Sequence, residues 1–417
     1  MKSPLLNTLV FVFGFIIITD LFAYRAIRFL MRGKRKFWRR FVGAVHFGIT
    51  LAVLAGFLYF FTSVTAERYG TFRTFFSGFV MAFYVSKIIF TVFVLFEDVL
   101  RFFEWMTERY RKRNVQKIEE KGGMSRADFI YSAGAITAAV PFYLMLRGVY
   151  KSAYDYQVHR VKLEIPNLPK AWRGKRIVQL SDIHSGSLAD IDAVAKGVQM
   201  VKDTKPDIFM FTGDLVNNFA WEANDMVDIF RGIKADIGTY SILGNHDYGL
   251  YHHWESKEAM EQNFRDLVNT HKEIGWNLMR NEHEVLEIGG RKLGLLGVEN
   301  WGHSARFPKR GDVNLAERGM QKVDFKLLMS HDPSHWDAVV RKEHRDIAAM
   351  FSGHTHGAQL GIENKFFKWS PVQYIYKQWA GMYEQNGQQL YVNRGFGFIG
   401  YPGRVGILPE ITVFELA

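Results

Sequence analysis

Three stretches in the first hundred residues, 5–23, 41–64 and 75–96, are apolar over close to the ~20 residues that a helix needs to cross a hydrocarbon core of ~30 Å. In that solvent the peptide groups find no water, so the backbone must satisfy itself as a helix. A fourth stretch, 129–146, is shorter and richer in Ala and Gly. The spacing predicts an N-terminal transmembrane helical domain over residues 1–150 with about four spans. No basic region precedes the first stretch and no small-residue cleavage site follows it cleanly, so it reads as a retained span rather than a signal peptide.

The charge distribution agrees. Residues 1–150 hold 21 Lys and Arg against 9 Asp and Glu, a net of +12, whereas 151–417 hold 32 against 33, a net of −1. The basic residues fill two loops. One carries Arg25, Arg28, Arg32, Lys34, Arg35, Lys36, Arg39 and Arg40; the other carries Arg101, Arg109, Arg111, Lys112, Arg113, Lys117, Lys121 and Arg126. Between them, the loop joining the second and third spans has little more than Glu67, Arg68 and Arg73. The positive-inside rule then puts the N-terminus outside and both basic loops in the cytoplasm of a multi-pass inner-membrane protein. The run at 32–40, with Phe37 and Trp38, reads as a juxtamembrane topology signal, and no nucleic-acid partner is expected.

If 129–146 crosses, everything after it is extracytoplasmic (periplasmic). If it lies in the interface, the remainder is cytoplasmic. The string Ser125-Arg126-Ala127-Asp128-Phe129-Ile130 is similar to a twin-arginine export signal short of one arginine and favours export. Asp20, His46 and Lys87 fall inside spans, where polar groups are costly and face the bundle interior. Asp20 and Lys87 reach similar depth, which suggests a pair with His46 nearby; separate partners or snorkelling are the alternative.

From about residue 160 the pattern changes to short β-rich runs alternating with helical stretches. Residues 176–181, 207–212, 239–243, 326–330 and 347–352 read as buried strands, and 188–204, 219–234, 255–273 and 334–344 as helices. Alternation about Gly289-Gly290 suggests a hairpin over 284–298. Strands separated by helices argue for a layered α/β domain over 151–417, with 97–128 and 151–160 as connectors.

Polar ligand-type residues collect at the C-terminal ends of those strands, where α/β sheets place their sites. They are Asp182-Ile183-His184, Gly213-Asp214, Gly244-Asn245-His246-Asp247, Ser330-His331 and Gly353-His354-Thr355-His356-Gly357. One such cluster means little; five in this placement do not arise by accident. Carboxylate, imidazole and amide oxygen suit Mn²⁺, Zn²⁺ or Fe. The chain has no cysteine, which excludes disulfides, thiol nucleophiles and Cys-ligated zinc or iron–sulfur clusters. The other histidines, His159, His252, His253, His271, His283, His303, His335 and His344, read as surface residues.

In order and spacing these five motifs resemble the calcineurin-like metallophosphoesterases, in particular their bacterial membrane-associated branch. The strings 176–184 (RIVQLSDIH), 353–359 (GHTHGAQ), 393–400 (NRGFGFIG) and 408–416 (LPEITVFEL) carry the same likeness. The resemblance spans about 160–417 and implies a layered α/β/β/α sandwich holding two divalent metal ions. It implies one ion on Asp182, His184 and His356, a second on Asn245, His331 and His354, and Asp214 bridging them. It implies a metal-bridging hydroxide as nucleophile and His246 as general acid to the leaving oxygen or as a hydrogen-bond donor to the transition state. Where the family often has a second Asp to orient that histidine, this chain has Asn217, which leaves Asp247 as a supporting acid or His246 as a weaker one. Gly395-x-Gly397-x-x-Gly400 mimics a dinucleotide fingerprint, but Tyr401-Pro402-Gly403 turns the chain where a helix is required.

The leading expectation is therefore a membrane-anchored hydrolase of a phosphomonoester, phosphodiester or pyrophosphate bond. Trp254, Trp301, Trp336, Phe366, Phe367, Trp369 and Trp379 lie around the motifs, either as core or as a surface for a lipid-linked envelope phosphate. The alternatives are a cytoplasmic-facing pyrophosphatase of the UDP-diacylglucosamine type in lipid A synthesis, and a non-catalytic metal-binding membrane sensor. A transporter role for the bundle ranks last.

Overall fold

The computed structural model describes residues 3–62, 70–110 and 124–417. Val64, Glu67, Arg68, Arg111, Lys112, Arg113, Lys117 and Lys121, which entered the span and loop assignments, lie outside the described residues. The chain divides into two compact units, residues 1–67 with 75–147, and 68–74 with 148–417.

The first unit is built of α1 (Ser3–Leu30), α2 (Lys36–Thr62), α3 (Thr71–Tyr110) and most of α4 (Arg126–Tyr150). All four are long and apolar enough to cross a membrane. Two expectations need correction. The fourth helix has 25 residues rather than the 18 of the apolar run, because Ser125 caps it at the amide of Asp128 (3.2 Å) and polar residues extend both ends. Residues 97–110 are not connector: α3 runs 40 residues, its last turns carrying charge. There Glu97, almost fully buried, accepts from Arg101 at 2.8 Å and Arg126 at 3.2 Å. Arg25 pairs with Asp98 and Arg32 with Asp128. Four of the basic loop residues are thus matched by carboxylates.

The helices meet through small residues, Ala23, Ala26, Ala127 and Ala138, packed with Phe90, Val94, Ile130 and Tyr131. A second cluster joins Ile16, Val53, Val80 and Tyr84. Asp20, buried between them, is paired with Lys87, accepts from the Tyr84 hydroxyl at 2.8 Å and lies 3.3 Å from His46 Nε2. The suggested Asp20–Lys87 pair with His46 nearby is the arrangement found.

The described residues of the second unit carry fourteen strands. They are β1 (Gln157–Leu163), β2 (Arg176–Leu180), β3 (Ile208–Phe211), β4 (Gly238–Ser241), β5 (Asn277–Leu278), β6 (Glu282–Ile288), β7 (Arg291–Gly297), β8 (Phe325–Met329), β9 (Ile347–Ser352), β10 (Ile362–Glu363), β11 (Lys368–Trp369), β12 (Gly381–Gln385), β13 (Gln388–Val392) and β14 (Glu410–Leu416). One six-stranded sheet has the order β1-β14-β2-β3-β4-β5, the other β12-β13-β9-β8-β7-β6. Strands β2 to β5 run parallel, as do β7, β8, β9 and β13. Parallel strands covered on both faces read as unbroken apolar runs, which is why IFMF at β3 and IAAMFS at β9 stood out.

The sheets pack face to face through Ile177, Met210, Ile242, Leu295, Leu327, Phe351 and Phe414. Outside the first sheet lie α5 (Ile191–Asp203), α6 (Val227–Arg231) and α7 (Lys257–Ile274), with Val194, Val198 and Val201 of α5 turned to it at helical spacing. Asp190 caps α5 through the amide of Ala193 at 2.9 Å, and Gly275 in the left-handed region (φ 89°) ends α7. Outside the second sheet, Val313 and Ala316 of α8 (Val313–Glu317) pack with Trp336 and Val340. This is the expected α/β/β/α sandwich.

Three local expectations change. The helix predicted over 219–234 is a 3₁₀ stretch at Ala220–Met226 followed by the short α6. That over 334–344 is a π turn at Trp336–Val340 running into α9 (Arg341–Glu343). Residues 157–160 belong to β1, which pairs in parallel with β14 along its whole length. That partner is some 250 residues away, beyond any local pattern.

Candidate metal centre

Asp182 and His184 follow β2, Asp214 follows β3, and Asn245 and His246 follow β4; His331 follows β8 and His354 and His356 follow β9. Both sheets therefore aim the C-terminal ends of their parallel strands at one point. To turn that sharply, Asp182, His184, Asp214, His354 and His356 all sit at positive φ, between 49° and 73°. Such backbone is uncommon outside Gly and persists where the surroundings enforce it, typically at functional sites. The enforcing contacts are close: a Cβ on Gly353 would lie 2.1 Å from Asp182 Oδ2, and one on Gly397 1.8 Å from the carbonyl of Ile183. The glycine-rich 395–400 segment thus packs behind the Asp182 turn, and no helix follows it.

Two groups of ligand atoms converge, Asp182 with His184 and His356, and Asp214 with His331 and His354, each within 4.8 Å. His356 Nε2 lies 3.2 Å from Asp182 Oδ1 and 3.1 Å from His184 Nε2. Asp214 Oδ2 lies 3.1 Å from His331 Nε2 and 3.6 Å from His184 Nε2, so it faces both groups. Asn245 Oδ1 meets His354 Nδ1 at 2.7 Å.

The donors fit divalent cations. His331 gives its Nδ1–H to the carbonyl of Thr212 (2.7 Å), which leaves Nε2, buried against Asp214 Oδ2, as the nitrogen available to a metal ion. Burial would push the carboxyls of Asp182 and Asp214 up, but the imidazoles of His356 and His331 outweigh it and hold both well below the usual range. Against its own burial, His331 is pushed up to about 10 by Asp214. Burial lowers His184 and His354, keeping them neutral. Two ionised carboxylates, the neutral imidazoles of His184 and His354, and a His331 proton that a bound cation would displace make a pocket suited to positive charge.

His246, half-buried, sets its Nδ1 2.9 Å from the main-chain carbonyl of Asn217, and its amide donates to Asp214 Oδ1 at 2.8 Å. The two supporting residues are placed differently from expectation. The Asn217 side chain faces His184 Nδ1 at 3.1 Å, not His246. Asp247 turns away from His246 altogether and accepts the amides of Gly244 (2.8 Å), Asp214 (2.9 Å) and Leu215 (2.8 Å). It clamps two ligand-bearing turns together.

Sequence reasoning missed several neighbours. Tyr376 OH lies 2.8 Å from His354 Nε2 and donates to Asp332 Oδ2 at 3.3 Å. Asp332 directly follows His331, a usable signal; Tyr376 offered none. Arg404, fully buried, donates to the carbonyl of Gly395 at 3.0 Å and fastens the glycine segment. His271, His335 and His344, read as surface, are buried, each with Nδ1 against a polar neighbour: Ser241 Oγ at 3.0 Å, Ser330 Oγ at 2.9 Å and Glu317 Oε2 at 3.3 Å. Trp336 and Trp379 are core, whereas Phe366 and Phe367 are exposed.

Residues 175–358 match the family model described as calcineurin-like phosphoesterase, and residues 6–153 match that described as probable calcineurin-like phosphoesterase, transmembrane domain. The chain belongs to this family. It is a metallophosphoesterase, a hydrolase of phosphate esters, with a transmembrane region and two His/Asp groups able to hold metal ions. The uncharacterized metallophosphoesterase YkuE of Bacillus subtilis is 28% identical over 305 residues, covering 70% of this chain and 98% of that protein. A transmembrane protein with metallophosphoesterase domain from Danio rerio is 27% identical over 290 residues, 66% of this chain but only 60% of its own length. Among solved structures, the sulfate thiohydrolase SoxB of Thermus thermophilus aligns over 60% of this chain and 58% of its own, with 12% identity and a TM-score of 0.35.

Proposed function

We propose that this membrane-anchored enzyme cleaves a phosphomonoester, phosphodiester or pyrophosphate bond in a lipid-linked substrate, with the catalytic unit on the extracytoplasmic side. The observation that carries the reading is the convergence of the two ligand groups about Asp214, with His246 beside them. Asp182, His184 and His356 would hold one divalent ion and Asn245, His331 and His354 the other, with Asp214 between. Bound there, the ions offset charge on the phosphate oxygens and acidify an attacking water.

The chain's own residues do the rest. His246, with Nδ1 held by the Asn217 carbonyl, has Nε2 left to meet the leaving oxygen and pass it a proton. The partner of that nitrogen is a neutral oxygen, so no carboxylate stabilises an imidazolium across the bond. The partners on this reading are the bilayer and a phosphate-bearing lipid. The length of α4, 25 residues, supports a true fourth crossing and hence the extracytoplasmic side.

Metal analysis of the purified chain, combined with soluble esters, nucleotide sugars and lipid phosphates offered in detergent, tests the substrate. Turnover of soluble esters with none on any lipid phosphate would end the lipid reading. A reporter fused at the C-terminus tests the side; activity of a cytoplasmic-only reporter overturns the topology.

A further inference from the structure

Residues 157–417 expose ten large apolar side chains among those described, and six of them fall between 360 and 375: Leu360, Ile362, Phe366, Phe367, Tyr374 and Ile375. Phe366 is 97% exposed and Ile375 80%. Single exposed apolar residues are ordinary, but such concentration marks an interaction surface. The tip is also built rather than loose. β10 and β11 form a hairpin, and Asn364 Oδ1 accepts the amides of both Phe366 and Phe367 at 2.9 Å.

The segment is fastened to the turn that carries the metal ligands. Ser370 Oγ donates to the carbonyl of Gly357 at 2.7 Å, Thr355 Oγ1 donates to the carbonyl of Trp379 at 2.6 Å, and Tyr376 meets His354. Trp379, Val372, Ala380 and Ile407 make a small core beneath it. Whatever the exposed apex touches is therefore held beside the candidate centre.

We propose that this 360–377 segment is an interfacial loop that inserts Phe366, Phe367 and Ile375 into a lipid bilayer and so brings lipid phosphates to the metal centre. The proposal rests on the lipid-phosphate reading above and names the surface that presents the substrate. Three features favour a bilayer over a protein partner. Exposed Lys365 and Lys377 flank the aromatics, the pairing of cationic heads with apolar rings that suits a headgroup boundary. Ile375 and Tyr376 also line a cavity of about 530 Å³ whose other walls include Ser304, Ser334 and Lys342, donors suited to a phosphate-bearing headgroup, and Asp337, whose charge Arg341 matches at 2.5 Å. Finally, β1 begins seven residues after α4 ends, so the bilayer is the apolar phase this unit meets at the highest effective concentration.

The absence of cysteine allows a single labelled site. Phe366→Cys carrying an environment-sensitive NBD dye is reconstituted, as the full chain, in vesicles of phosphatidylethanolamine and phosphatidylglycerol. We expect blue-shifted emission that loses most of its intensity to shallow spin-labelled lipid, and a water-like control at Lys322→Cys. The unlabelled double variant Phe366→Ser/Phe367→Ser should turn over lipid phosphate in vesicles several-fold more slowly and a soluble ester at the parental rate. Water-like emission insensitive to spin-labelled lipid overturns the loop; if lipid phosphate is nonetheless hydrolysed, the substrate reading survives it. Insertion without lipid-phosphate hydrolysis sinks the substrate reading and leaves the surface. A shift that grows with protein concentration but ignores the lipid quencher means contact between copies and overturns the proposal.

Discussion

The imidazole of His246 rests its Nδ1 on the main-chain oxygen of Asn217, 2.9 Å away, while the Asn217 side chain points the other way, to His184. Orientation of the proposed acid therefore needs no side chain at position 217. Asn217→Ala should leave kcat at saturating metal near the parental value and weaken metal affinity ~10–100-fold, since His184 loses the partner of its Nδ1. His246→Asn should do the opposite, costing ~10²–10⁴ in kcat with metal content unchanged. Metal titrations of the rate on a soluble ester separate the two, and a kcat collapse in Asn217→Ala would show that the side chain orients His246 after all.

Asp247 holds two ligand-bearing turns together through the amides of Gly244, Asp214 and Leu215, in full burial. Asp247→Ala strands those donors, at ~1–3 kcal/mol each. The expected result is a melting temperature lowered by many degrees together with loss of bound metal. Retained melting with a shifted pH–rate profile would instead make Asp247 a partner of His246.

That pair of residues marks the limit of what the sequence conveys. The five strands were legible because burial on both faces demands unbroken apolar runs, and the ligand motifs were legible because each terminates one. Which atom of Asn217 meets which histidine depends on the turn after β3, and the choice of Asp247 for amides over imidazole depends on backbone at positive φ in Asp214. Neither leaves a periodic trace. β1 was missed because QVHRVKL alternates weakly and its partner lies at the far end of the chain. In α3, the apolar run stops at Phe96 while the helix goes on, since Glu97 is neutralised by Arg101 and Arg126 from its own and another helix.

Glu222 gives a pH test away from the ligands. Burial pushes its carboxyl up to about 7, against the amides of Asn217 and Phe219 that it accepts. A carboxyl raised in the folded state binds more protons folded than unfolded over the interval between the two pKa values. Its contribution is complete below about 4.5 and is lost as pH rises through about 7, on the order of 3 kcal/mol at most. Melting of the full chain in detergent should accordingly fall across that window, and Glu222→Gln should flatten the slope. An unchanged slope would remove Glu222 from the linkage.

The Asp20–Lys87 pair in the membrane unit is open to a double-mutant cycle. Removing one partner of a buried ion pair costs ~3–5 kcal/mol, because the other charge is left stranded. Asp20→Asn and Lys87→Met should each destabilise the bundle, and the double variant should recover ~1–3 kcal/mol relative to their sum. Simple additivity in unfolding from mixed micelles would mean that the two charges do not stabilise each other.

Tyr376 settles which tautomer His354 presents. Its hydroxyl donates to Asp332 Oδ2 at 3.3 Å, so it accepts from Nε2–H of His354 at 2.8 Å and leaves the Nδ1 lone pair to share a metal ion with Asn245 Oδ1, 2.7 Å away. Burial, with Asp332 beside it, pushes the hydroxyl well above its usual range, so it stays protonated at any working pH. Tyr376→Phe removes that acceptor without changing shape. The tautomer is then no longer enforced, and affinity for the metal that His354 would share should fall ~10–100-fold while melting of the apo chain barely moves. A merely structural tyrosine would give the reverse, lower melting with an unshifted metal titration. Excess metal should restore kcat in Tyr376→Phe, and failure to do so would place the hydroxyl in contact with substrate instead.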